Sequence, residues 1–233
     1  MPVVYLVRHG QASFGPGDYD RLTDLGLEQA DLAGRELARR LAGEGAPAAE
    51  LVAHGGLKRQ LGTAEAVVAR LPGQVPLREH PGLSEFDHEE IILRHKPAYR
   101  RKAVMYADLA RTLNPRQGFQ DMFEKAVARW TGGEHDGAYG ETMAQFHARV
   151  AGAFEDLTAN ASGTVVMASS GGAISSVCAD LLGEGPGVWL QLNRVMMNAG
   201  ITKVVIGKRG RSMVTFNDTG HLEHVGREYL TYR

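Results

Sequence analysis

Arg8-His9-Gly10-Gln11 closes the apolar run Val3–Val7, bringing a cation, an imidazole and a glycine to one strand end. A strand running straight into Arg and His sets both at a sheet edge, and Gly10 lets the backbone turn and approach a ligand closely. Arg59 opens a second candidate. It lies off the apolar stripe of the helix that begins near Leu57, where it can point up to the strand ends. Helix starts favour negative charge, so an Arg there is a conflict that a bound anion would relieve. The third is Ser169-Ser170-Gly171-Gly172, small residues after an apolar strand and before a helix carrying Ile174, Val177 and Leu181 on one face. Backbone N–H groups at such a helix start can cradle an anion, with Ser170 and Gly171 as its first members. Each stretch also has a plainer reading: a surface Arg beside a capping His, a solvated Arg, a tight turn that needs glycine.

These positions require a scaffold that collects strand ends. Apolar runs predict strands at Val3–Val7, Leu51–Ala53, Thr164–Ala168, Ile201–Ile206 and Ser212–Phe216. The first and third are nearly all apolar, as strands buried on both faces are. Helical periods lie between them. Leu57, Leu61, Ala64, Val68 and Leu71 form one stripe; Met143, Phe146, Val150, Phe154 and Leu157 form another. Ala30, Ala33, Leu37 and Leu41 make a third, with Thr23 placed to cap its helix. Alternation of this kind predicts a three-layer α/β/α fold with a mostly parallel central sheet. Ile206–Arg211 reads as a hairpin turn, which adds an antiparallel edge strand. Roughly residues 83–140 break the alternation with helical material, including Phe119, Phe123, Ala126 and Trp130, and read as a helical insertion or lid within one domain spanning 1–233.

Composition narrows the partner classes. Lys and Arg total 26 against 27 Asp and Glu, so no excess positive charge marks a general nucleic-acid binder, and anion recognition must be local. Cys178 alone excludes an internal disulfide and a cysteine-based zinc finger. No apolar run approaches the ~20 residues of a membrane span. The N-terminus lacks the basic start and apolar stretch of a signal peptide, and the expected setting is the cytoplasm.

Leu6-Val7-Arg8-His9-Gly10-Gln11 resembles the signature of the histidine phosphatase superfamily, the group that contains the phosphoglycerate mutases. Further segments agree in order: Leu22–Ala30, Leu57-Lys58-Arg59 through Thr63-Ala64-Glu65, Leu83-Ser84-Glu85-Phe86, Gly140-Glu141-Thr142 with Arg149, and Asn217–Leu222. The resemblance implies hydrolysis of a small phosphorylated substrate in two covalent steps. His9 would carry the phosphoryl group, Arg8 and Arg59 would hold its oxygens, and Glu85 would protonate the leaving alkoxide and then deprotonate water. It implies no metal or other cofactor, while the charge balance and the lack of a long apolar run are what speak against nucleic acid and membrane as partners.

The chain departs from the family pattern at three places. Ser170 stands where a second His is usual, Gly55-Gly56 where Ser-Pro is usual, and Gly15 where many members carry Asn. Ser170 keeps a hydrogen-bond donor but no positive charge, so slow or unusually selective turnover is expected. His54 and His221 are the candidates to replace the missing imidazole. Mutase-type phosphotransfer and a weakly active phospho-ligand-binding protein are the alternatives. A serine hydrolase built on Ser170, with His221 or His224 as base and Asp180 or Asp218 behind, would leave Arg8, His9, Arg59 and Glu85 without a task. Asp87, His88, Glu89 and Glu90 read as the acidic start of a helix, and Cys178 as buried packing. The run Arg94, His95, Lys96, Arg100, Arg101, Lys102 reads as a solvated face that can also meet an anionic substrate.

Overall fold

The computed structural model describes residues 1–13, 20–43, 45 and 48–232. In chain order the elements are β1 (Val3–Arg8), α1 (Asp24–Gly43), β2 (Ala49–His54), α2 (Lys58–Val68), β3 (Leu77–Glu79), α3 (His88–His95), α4 (Lys102–Leu109), α5 (Pro115–Thr131), α6 (Met143–Thr158), β4 (Thr164–Ser169), α7 (Gly171–Leu181), α8 (Pro186–Val195), β5 (Ile201–Gly207), β6 (Gly210–Asp218) and α9 (Gly220–Glu223). The six strands form one sheet in the order β3-β2-β4-β1-β5-β6. β1, β4, β2 and β3 are parallel, while β5 and β6 run antiparallel.

The five strands expected from apolar runs are present, in an α/β fold. β1 and β4 lie at the centre, which accounts for Val4–Val7 and Val165–Ala168 being buried. β3 was not expected. Its three residues are exposed and carry no apolar signal, and they pair with β2 through Val52–Leu77, Ala53–Arg78 and His54–Glu79. α8 also went unread; Pro186 at its first position marks the start in retrospect.

The chain divides into two compact units, Met1–Glu85 with Arg149–Arg233, and Phe86–Ala148. In the first, strand alternation sends Tyr5, Val7, Val52, Val166 and Ala168 toward α1 and α2, where they meet Ala33, Leu37, Leu41, Ala64 and Val67. The neighbouring residues on the strands face the other way, and α7 packs on β1 and β6. Thr23 Oγ1 accepts the Gly26 N–H at 3.0 Å, capping α1. The second unit is helical and is held by Phe86, Trp130 and Phe146. Their ring centroids stand 5.0 to 5.7 Å apart, as tilted and edge-on aromatic pairs do. Its α3 begins at Asp87, whose carboxylate accepts the Glu90 N–H.

Candidate active site

The parallel strands end together, so the turns after β1, β2 and β4 collect at one edge of the sheet. His9 follows β1 directly and is 7% exposed. Its Nδ1 lies 2.7 Å from the Gly10 carbonyl oxygen. A carbonyl only accepts, so Nδ1 carries the proton. Nε2 accepts from Arg59 Nε at 3.1 Å. Both bonds select the same tautomer, with the Nε2 lone pair directed at the guanidinium. Burial, then the nearby charges of Arg59 and Arg8, hold the His9 pKa well below the ordinary imidazole value.

The turn itself is fixed by backbone packing. A Cβ on Gly10 would stand 2.1 Å from the Gly26 carbonyl oxygen, and one on Gly26 would stand 2.0 Å from that of Gln11. The two glycines therefore let the His9 turn and the first turn of α1 touch main chain to main chain. The Gly10 N–H donates to Thr63 Oγ1 and the Gln11 N–H to Gln29 Oε1. Behind the turn, Asn198 Nδ2 donates to the His9 carbonyl at 3.1 Å, and Thr231 Oγ1 donates to Asn198 Oδ1.

Arg59 stands at the start of α2, and the charge conflict seen in the sequence is resolved within the chain. Asp20 Oδ1 accepts from Arg59 Nη1 at 2.5 Å, and Asp20 Oδ2 accepts the Lys58 N–H at 2.8 Å. One carboxylate thus neutralises the guanidinium and caps the helix. Asp20 has a φ of 86°, a conformation held by these two bonds.

Arg8 Nη1 donates to the Met196 carbonyl. Its Nε lies 3.6 Å from where a Gly171 Cβ would sit, so the guanidinium packs on the bare start of α7. Glu85 Oε2 accepts the Gly172 N–H at 3.0 Å, which places the carboxyl at the same helix start. Ser170 has no exposed surface; its Oγ accepts from Gln60 Nε2 at 2.8 Å. The structure brings Arg8, His9, Arg59, Glu85, Ser170 and Gly171 to this one edge.

Gln60 is a residue the sequence reading missed. Its Oε1 accepts the Leu57 N–H, and its Nε2 also donates to the Leu83 carbonyl. A Cβ on Gly55 would lie 2.2 Å from Gln60 Oε1, so Gly55, Gln60 and Ser170 fit only as a set. Asp20 and Asn198 were missed as well, because side-chain bonds to a distant backbone leave no periodic mark.

His54 ends β2, opposite Ala168 of β4, and is buried. His54 Nδ1 engages the Gly55 carbonyl at 2.6 Å. The His221 ring is surrounded by Glu36, Asp218, Arg40 and the Ala199 backbone, and its pKa is lowered, chiefly by burial. Among the described contacts neither His221 nor exposed His224 bonds to Ser170, whose oxygen is taken by Gln60, so the serine-hydrolase arrangement does not form. Of the basic run, Lys96 pairs with Asp108 and Arg94 with Glu90, all within the second unit. No group of three or more His, Cys, Asp or Glu side chains is clustered as metal ligands among the described residues. Gly15 lies outside the described residues.

A parallel-sheet edge with two buried arginines beside an unprotonated ring nitrogen and a carboxyl at a helix start is equipped to bind an anion next to a nucleophile. The model of the histidine phosphatase superfamily (branch 1) matches residues 4–219, and the chain belongs to that family. Family membership supports a phosphatase activity in general terms. No curated protein matches the chain. Among solved structures it is similar to a phosphoserine phosphatase mutant (H9A) from Entamoeba histolytica in complex with phosphoserine, with 21% identity, 95% of this chain and 100% of that chain covered, and a TM-score of 0.63. It is also similar to a mycobacterial glucosyl-3-phosphoglycerate phosphatase complexed with VO3, with 21% identity, coverage of 93% and 99%, and a TM-score of 0.64. At these identities the likeness establishes the fold.

Among the described residues no helix is long and apolar enough to cross a membrane.

Proposed function

We propose that the chain hydrolyses small phosphomonoesters in two steps through a phosphorylated His9. The observation that carries this reading is the His9 ring itself. Its proton is on Nδ1, its Nε2 lone pair faces Arg59, and burial keeps it neutral. A neutral imidazole is the nucleophilic form.

In the resting site Arg59 Nε–H occupies the Nε2 lone pair. Phosphoryl oxygens bind the guanidinium groups of Arg8 and Arg59 in its place, with Ser170 and Gly171 lining the cradle at the start of α7. The freed lone pair then attacks phosphorus. The N–P bond forms as the P–O bond to the leaving oxygen breaks, and the Glu85 carboxyl gives its proton to that oxygen. In the second step the Glu85 carboxylate takes a proton from water, the water oxygen attacks phosphorus, and the N–P bond breaks. Phosphate leaves and neutral His9 is restored. Positioning and charge neutralisation supply most of the acceleration in such transfers.

The test is turnover of p-nitrophenyl phosphate beside a His9→Ala control, with an alkaline quench and mass spectrometry of the His9 peptide. Turnover by the wild type alone, with a phosphoryl adduct on His9, is expected. Equal turnover by both proteins, or consumption of a good donor with no adduct under rapid mixing, overturns the reading. Saturable phosphate binding without turnover would instead mark a binding protein.

A further inference from the structure

We propose that Arg149 is a positioning residue for proton transfer by Glu85, an inference that rests on the phosphatase reading above. The segment that delivers Glu85, Pro81 to Ser84, opens as a single 3-10 turn over Pro81–Leu83, and each of its carbonyls is also held by a side chain. Arg149 Nη1 stands 3.0 Å from the Gly82 and Ser84 oxygens and 3.4 Å from that of Pro81. The Leu83 carbonyl accepts from Ser169 Oγ at 2.6 Å and from Gln60 Nε2 at 3.2 Å.

The segment also lies flat against α6. A Cβ on Gly82 would sit 2.6 Å from Ala153 Cβ, and Ala153 is one helical turn beyond Arg149. Arg149 therefore grips the segment where the helix already touches it. A guanidinium suits this task, since one fixed charged group can serve several carbonyl dipoles at once. On the far side of the segment Glu85 reaches the Gly172 N–H. Arg149 thus sets where the carboxyl stands without itself forming part of the phosphate site.

A positioning role has a signature that general stabilisation lacks. An alkyl phosphate needs a proton on its leaving oxygen, while p-nitrophenolate departs without one. Misplacing the acid by about 1 Å costs on the order of 10²-fold. In Arg149→Met, kcat/KM for an alkyl phosphate should fall about 10²-fold. That for p-nitrophenyl phosphate should fall by no more than ~5-fold, because it forgoes the gain of general-acid catalysis. Inhibition by vanadate, which reads the arginine clamp, should be unchanged. Arg149→Lys, able to reach fewer carbonyls, should fall between wild type and Met. Ser169→Ala should show the same leaving-group selectivity at smaller size.

Equal losses on both esters, or weakened vanadate binding in a folded variant, would overturn the proposal. So would failure of both Arg149 variants to fold, since the residue would then be a requirement of the fold alone. Failure of the phosphatase reading shows separately, as wild-type turnover no greater than that of His9→Ala.

Discussion

Arg59 Nε donates to His9 Nε2 at 3.1 Å, joining the end of the first strand to the start of the second helix through the nucleophile candidate's own lone pair. The guanidinium therefore keeps the ring oriented before any ligand arrives. Arg59→Ala should lower kcat/KM for p-nitrophenyl phosphate by about 10²–10³, the usual loss for one donor at a developing charge. Arg59→Lys should recover little of it. An ammonium lacks the planar fork that keeps Asp20 on one nitrogen while it offers another to His9 Nε2 and then to a phosphoryl oxygen. Steady-state kinetics on the two variants checks this.

The low pKa of His9, set by burial and then by Arg59 and Arg8, gives a stability test with a defined sign. In the unfolded chain His9 takes a proton as pH falls through about 6.5, while in the folded chain it does not until lower pH. The unfolded state then binds the extra proton, so stability should fall as pH drops below about 6.5, by at most ~1.4 kcal/mol per pH unit from this residue. The loss should level off below the folded-state pKa. His221, also lowered chiefly by burial, adds in the same direction. Urea unfolding of wild type and His9→Gln between pH 7.5 and 5 should show a shallower decline in the variant (a pH window of about two units around the reference value).

Gly26 is predicted to be irreplaceable for a reason of space. Its Cβ would stand 2.0 Å from the Gln11 carbonyl oxygen, an atom fixed by the Thr23 N–H. Gly26→Ala should cost on the order of 1–3 kcal/mol or more, as overpacking does, and displace the His9 turn. Thermal unfolding and turnover should fall together. At Gly152, where an added Cβ meets nothing within 4 Å, the same change should not lower stability, because alanine also favours the helix.

Burial raises the Cys178 thiol pKa to about 12, and the residue has no exposed surface. The folded protein should leave a disulfide reagent unconsumed at neutral pH and react with one equivalent only on denaturation. Rapid labelling of the native protein would show the interior around α7 to be open.

The scaffold was legible where burial imposes a pattern. β1 and β4 announce themselves because they are covered on both faces, and α1, α2 and α6 because each buries a single stripe, whereas α7 is buried on every side from Gly171 to Ala179. β3 was not, since an exposed edge of three residues owes its existence to β2 and to no periodicity of its own. Arg8, His9 and Arg59 could be read because strand ends and helix starts are places where their charge is conspicuous. Asp20, Gln60 and the grip of Arg149 could not, because each acts by reaching backbone or side-chain atoms far along the chain. The odd start of α2 was a usable clue. It called for an anion, and the chain provides one in Asp20.

The sheet order also sets a timetable for synthesis. β1 precedes the other five strands, yet its neighbours are β4 and β5, and the carbonyl of His9 waits for Asn198, which lies 189 residues downstream and is itself held by Thr231. A growing chain on the ribosome therefore carries β1 with both edges open, and the His9 turn without its bond to Asn198, until β4, Asn198 and β5 have emerged. Such long-range closure is slow and leaves an aggregation-prone intermediate.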